Sequence, residues 1–175
     1  MKVVLYSSDG TKVGGLDFYK SFTPLTEKSD IIYNEFYNYV RNNGKKVKML
    51  LTGLSTSLLD YASVKTYNPH YIRVIFEGIR SKNEISENKN IEFVVPTLVG
   101  YTYAAAKYNA STVGCQWINI PKSNKNIGVE LESNEIFTQP FNIKILNNNS
   151  DVVAAAADTD QVADFMVEFW IFYDE

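Results

Sequence analysis

Apolar and polar side chains alternate in short runs along most of this chain, and the alternation predicts strands. In Tyr71 to Ile79, Ile72, Val74 and Phe76 share one side while Arg73 and Glu77 share the other with Ile75. Ile91, Phe93 and Val95 alternate with Glu92 and Val94 before Pro96. Ile127, Val129 and Leu131 alternate with Gly128, Glu130 and Glu132; Phe141, Ile143 and Ile145 alternate with Asn142, Lys144 and Leu146. A period of two places one face of each run inside and the other near water. The C-terminal run is the longest, at about twelve residues. Ala163, Phe165, Val167, Phe169, Ile171 and Tyr173 form an uncharged face. Val162, Asp164, Met166, Glu168, Trp170 and Phe172 form a mixed one. It predicts a long central strand.

Two dipeptides predict hairpin turns. Asp9-Gly10 lies between Val3–Tyr6 and Lys12–Leu16, and Asn43-Gly44 between Phe36–Arg41 and Val47–Leu51. Both tolerate the positive φ angles of primed turns. Ile31 to Val40 supports two readings. Its β-branched and aromatic residues favour a strand. Ile32, Phe36 and Val40 share a helical face, with Asp30 at the start and Gly44 available as a cap, and these favour a helix. The turn-rich stretches Ser81 to Asn90, Lys122 to Asn126 and Leu146 to Asp151 separate the runs. Eight to ten short-connected strands predict an all-β antiparallel sandwich, jelly-roll-like, with at most one or two short helices. They argue against βαβ units.

With 175 residues, no repeat and no linker, the chain reads as a single domain over 1–175, residues 1–28 forming an N-terminal arm or hairpin. Hydrophobic residues at 45% and charged ones at 21% exclude a disordered chain, and 14% aromatics lean to strands. A net charge of −3 argues against nucleic acid as the main partner. The cluster Lys45, Lys46 and Lys48 fits a solvated hairpin end. The N-terminus lacks a signal-peptide pattern and no run is long enough to span a bilayer. With one cysteine, synthesis in a reducing cytoplasm is the expectation.

Little in the chain points to chemistry. The one histidine, His70, follows Asn68-Pro69 and reads as a turn residue; the one cysteine, Cys115, reads as a buried thiol. No nucleophile, zinc or phosphate-binding pattern surrounds them. Asp158, Asp160 and Asp164 lack the spacing of an EF-hand loop, and Gly14-Gly15 lacks that of a phosphate loop. No catalytic, metal-binding or cofactor-binding residue is assigned, and no cofactor is expected. Paired carboxylates remain an enzymatic option, with Glu77, Glu92, Glu130, Glu132 and Glu168 on strands. Trp117, Trp170 and the tyrosines could form a sugar-stacking platform.

The layout Tyr71–Gly78, Asn90–Pro96, Asn126–Leu131, Pro140–Ile145 and Phe165–Tyr173, behind the start Met1–Lys28, resembles the single jelly-roll structural proteins of virus and phage particles. The resemblance lies in the order of strands across most of the chain, not in a motif. It implies a non-enzymatic capsid, vertex or minor capsid component located in the virion, working as a homo-oligomer and with other particle subunits. No functional residue is carried over. The alternative is a carbohydrate- or receptor-binding sandwich, for instance in a fibre; a glycan-active enzyme with paired carboxylates comes third. Apolar Val162, Met166, Trp170 and Phe172, opposite the core face of the last strand, mark an expected subunit contact or a face covered by the chain itself.

Overall fold

A computed structural model describes residues 1–57, 59–60, 71–82, 90–96, 112–113, 118–119, 128–147, 149–155 and 162–174. Strands dominate: β1 (Lys2–Tyr6), β2 (Thr11–Val13), β3 (Leu16–Phe22), β4 (Val47–Thr56), β5 (Leu59–Asp60), β6 (Tyr71–Arg80), β7 (Asn90–Pro96), β8 (Thr112–Val113), β9 (Ile118–Asn119), β10 (Val129–Glu130), β11 (Phe141–Leu146) and β12 (Phe165–Tyr173). Among the described residues, helix comprises α1 (Ile31–Asn42), the single turn α2 (Glu135–Thr138) and two 3-10 turns.

The strands form two five-stranded sheets. One runs β1-β12-β4-β10, with β9 also on β4; the other runs β2-β3-β11-β6-β7. β5 and β8 pair separately. Among the described residues every pairing is antiparallel. The expected antiparallel β-sandwich is therefore the fold. β12 is central, set between β1 (Val3 opposite Phe169) and β4 (Leu51 opposite Phe169). Its alternation fixes which face lies inside. Phe165, Val167, Phe169 and Ile171 are buried, while Met166, Trp170 and Phe172 are half-buried on the other side. Phe76 of β6 meets Phe169 edge-on across the sandwich, ring centroids 5.4 Å apart at 78°. Ile143 and Ile145 of β11 and Val74 of β6 complete this layer. Burying such side chains contributes on the order of 1.5–3 kcal/mol each.

The strand read over 162–173 is shorter than expected. It covers nine residues, and Val162 lies outside it, 83% exposed. A bulge also interrupts its register with β4, because Glu168 faces Gly53 while Phe169 faces Leu51. The extra residue, Thr52, is buried, and its hydroxyl donates to Glu168 at 2.9 Å.

Both turn expectations need correction. Asp9-Gly10 does not close a hairpin: β1 pairs with β12, while β2 pairs with β3 in the other sheet. Ser7–Asp9 form a 3-10 turn that carries the chain between sheets, and Gly10 has φ −107°. Glycine is needed there for space, since a Cβ would lie 3.0 Å from Lys20 Cβ and from the Ser21 carbonyl oxygen. The hairpin is β2–β3, turned by Gly14 and Gly15 at φ +61° and +75°, as a primed turn requires. Residues 1–28 thus supply strands to both sheets, and Val3, Leu5, Phe18, Phe22 and Leu25 to the core.

Asn43-Gly44 ends a helix, which settles the ambiguity over 31–40. The Asp30 carboxylate caps α1 by accepting from the Ile32 N–H at 3.0 Å, and Gly44 follows the last turn at φ +58°. The buried side is Tyr33 and Val40 with Phe36 and Tyr37 partly covered, not the row through Ile32, which is exposed. Phe36 and Tyr37 stack on Phe137 of α2 at 5.9 and 5.5 Å. That packing outweighs the strand propensity of the segment. Lys45 and Lys46 consequently sit on a helix–strand connection and not a hairpin end; Lys48 lies in β4. Of the strand read around Ile127, the described part is Val129–Glu130, with Leu131 bridging Ser81.

Candidate functional site

Among the described residues the core is built mainly of apolar side chains, and most charged groups lie on the outer surfaces. On the sheet containing β6, the outer face carries a cross-strand polar cluster around Glu77. The Tyr19 hydroxyl donates to Glu77 Oε2 at 2.5 Å, Asn142 Nδ2 at 3.5 Å, and Lys144 Nζ donates to Oε1. The Lys144 ammonium also sits 5.7 Å from the Tyr19 ring centre. Partial burial alone would raise the Glu77 pKa. Hydrogen bonds from Lys144 and Tyr19, with the Lys144 charge, outweigh it and hold the carboxyl below its usual range. The bond to Glu77 in turn raises the Tyr19 pKa.

The other strand carboxylates are also engaged. Glu92 lies 3.3 Å from Arg73 Nε, whose Nη2 donates to Ser150 at 3.0 Å. Glu130 lies 3.0 Å from Lys82 and 3.9 Å from Lys46, and the Lys82 hydrogen bond leads in lowering its pKa. Glu168, mostly covered, accepts from Thr52 and lies 3.7 Å from Lys2. Glu132 is exposed at the end of this region. A general acid needs its pKa raised; Glu77 and Glu130 are shifted the other way.

Among the described residues, a surface groove stands beside the start of β12. Tyr6, Ser55, Thr56, Ser57, Asp164, Phe165 and Met166 line about 400 Å³. Asp164 is fixed there from both sides. Its N–H donates to Ser57 Oγ at 3.0 Å and its carbonyl accepts from the Ser57 N–H at 2.8 Å. Its Oδ1 accepts from the Ser7 hydroxyl and, at 2.9 Å, from the Phe165 N–H. The half-exposed Tyr6 ring forms a wall. The lining combines apolar Phe165 and Met166 with the hydroxyl residues Ser55, Thr56 and Ser57 and the acidic Asp164.

Of the residues singled out in the sequence, His70, Cys115, Trp117, Asp158 and Asp160 lie outside the described residues. Asp164 is in the groove. Among the described residues, no cluster of three His, Cys, Asp or Glu is placed to hold a metal ion, and no helix is long and apolar enough to cross a membrane. The expected patch on β12 is reduced to half-buried Met166, Trp170 and Phe172, interrupted by Glu168, with only Val162 fully in water.

Among the described residues, Ile31, Ile32 and Tyr39 of α1 are also exposed, at 70%, 59% and 47%, and the sequence reading did not single them out as a group. The signal was two isoleucines directly after the capping Asp30, where a helix start favours acidic residues or proline. No protein-family model, curated protein or solved structure matches the chain.

Proposed function

We propose that the protein is a non-enzymatic structural subunit of a virus or phage particle, acting through subunit contacts in a shell or vertex. The observation that carries this is the nesting of strand pairs. With β2, β5, β8 and β9 set aside, the first remaining strand pairs with the last (β1–β12), the second with the seventh (β3–β11), the third with the sixth (β4 with the two-residue β10) and the fourth with the fifth (β6–β7). Such nesting supports the jelly-roll reading, in which one long hairpin is curled on itself. The fold hosts several functions, so the surfaces must decide among them. An apolar interior supports a role carried on the outside. So do outer carboxylates matched with cations, and apolar groups left exposed on a helix. The assembly reading gives those exposed groups a partner.

The test is electron microscopy of the purified protein as it is concentrated. Rings, shells or sheets of regular subunits are expected. Isolated monomers at every concentration would overturn the reading.

A second reading, a carbohydrate-binding module, is favoured by the groove at Tyr6 and Asp164. An aromatic wall beside hydroxyl and carboxylate acceptors suits a sugar ring. It predicts glycan-array binding that Tyr6→Ala and Asp164→Ala both abolish; binding unaffected by either would remove it.

A further inference from the structure

The carboxylate in the groove beside β12 differs from those on the outer strands. Glu77, Glu92, Glu130 and Glu168 meet Lys144, Arg73, Lys82 and Lys2 in turn. Asp9, which accepts from the Tyr6 N–H, meets Lys28. Asp164 is exposed, and among the described residues no lysine or arginine meets it. Its Oδ1 is used within the chain, accepting from the Ser7 hydroxyl and the Phe165 N–H. Its own N–H and carbonyl are taken up by Ser57. Among the described residues no donor meets Oδ2. The carboxylate is thus held in one orientation with one oxygen open to accept.

The other lining groups suit a sugar. Tyr6, 49% exposed, offers an apolar ring face to the C–H side of a pyranose. Ser57 Oγ accepts from the Asp164 N–H, which leaves its hydroxyl proton to donate. The groove, at about 400 Å³, lies within the roughly 300–1,000 Å³ of ligand sites. A fixed anion with no cation of its own favours a ligand that brings one. A neutral sugar hydroxyl would give Oδ2 an ordinary hydrogen bond. An ammonium would give it a charge-assisted one, about twice as strong, and a cation beside the Tyr6 ring also gains from the ring quadrupole. We propose that the groove binds an amino sugar, a hexosamine with a free ammonium group, the ammonium on Asp164 Oδ2 and the sugar ring against Tyr6. The inference rests on the carbohydrate-binding reading and names the ligand class of that site.

Isothermal titration calorimetry of the full chain tests it, in mildly acidic buffer where the amine is charged. The probes are oligosaccharides of glucosamine, N-acetylglucosamine and glucose, equal in length and linkage. Glucosamine is expected to bind roughly tenfold or more tightly than either neutral probe, and added salt should erode that preference. Asp164→Asn keeps an acceptor for Ser7 and the Phe165 N–H but loses the charge, so it should bind all the probes alike. Tyr6→Ala should weaken all of them, with circular dichroism confirming the fold of both variants. The salt dependence is read on wild type and decides the matter if Asp164→Asn does not fold. A neutral probe bound as tightly as glucosamine, or a preference that survives Asp164→Asn or high salt, overturns the amine and leaves the carbohydrate reading standing. Binding of no probe overturns the inference, and an empty glycan array overturns the reading beneath it.

Discussion

Phe76 and Phe169 come from opposite sheets, are fully buried and meet edge-on at 5.4 Å. A double-mutant cycle on them therefore reads the face-to-face register of the sandwich directly. Truncating either to alanine should cost about 3–5 kcal/mol, since the ring is lost and a cavity stays behind. Against a total stability of about 5–15 kcal/mol, the double alanine variant could unfold outright. Leucine keeps the core filled and suits the cycle better. Each Phe→Leu change should fall within the roughly 0.5–3 kcal/mol of ordinary core substitutions. The double variant should then lose less than the two singles combined, by about 0.5–1.5 kcal/mol, the worth of the aromatic contact beyond area. Urea unfolding followed by circular dichroism gives all four corners, with an unchanged denaturant slope expected. Phe76 also packs edge-on with Phe93 of the neighbouring strand at 6.0 Å. A parallel cycle with Phe93→Leu shows how much coupling is confined to one sheet. Strict additivity of Phe76 and Phe169 would refute the packing of the two sheets in this register.

Glu77 has a lowered folded-state pKa, so its contribution to stability is present above about pH 4.5 and is lost as pH falls through the folded value. Wild type should therefore lose urea resistance below that pH more steeply than Glu77→Gln, and identical slopes would contradict the cluster. Gly44→Ala, at φ +58° with no atom near the new Cβ, should cost about 1–2 kcal/mol through backbone strain alone. At this chain length each kcal/mol lowers Tm by about 2–4 °C. Asp30→Ala should cost about 1 kcal/mol by uncapping α1, read by thermal melting; no change would mean the cap does not hold.

The strands that bury one whole face were legible in the sequence because register leaves no freedom there. Val167, Phe169 and Ile171, or Ile143 and Ile145, cannot slip by one residue without moving into water. The turns were less legible, because their meaning depends on distant neighbours. Gly10 is glycine because β3 passes against it at Lys20 and Ser21, a fact that Asp9-Gly10 itself does not contain. Local propensity left the segment after Asp30 open between strand and helix, because Phe36 and Tyr37 find Phe137 a hundred residues away. The pairing of Glu77 with Lys144 and Tyr19 likewise depends on which three strands lie side by side. Alternation identifies outward residues but not their neighbours.

The central claim is that this chain works by associating with copies of itself. Light scattering on the wild-type protein at rising concentration tests it most directly. The account predicts a mass that climbs from the 19.9 kDa of one chain to a fixed multiple and then holds, as closed symmetry requires. A mass that stays at 19.9 kDa up to the limit of solubility would contradict it.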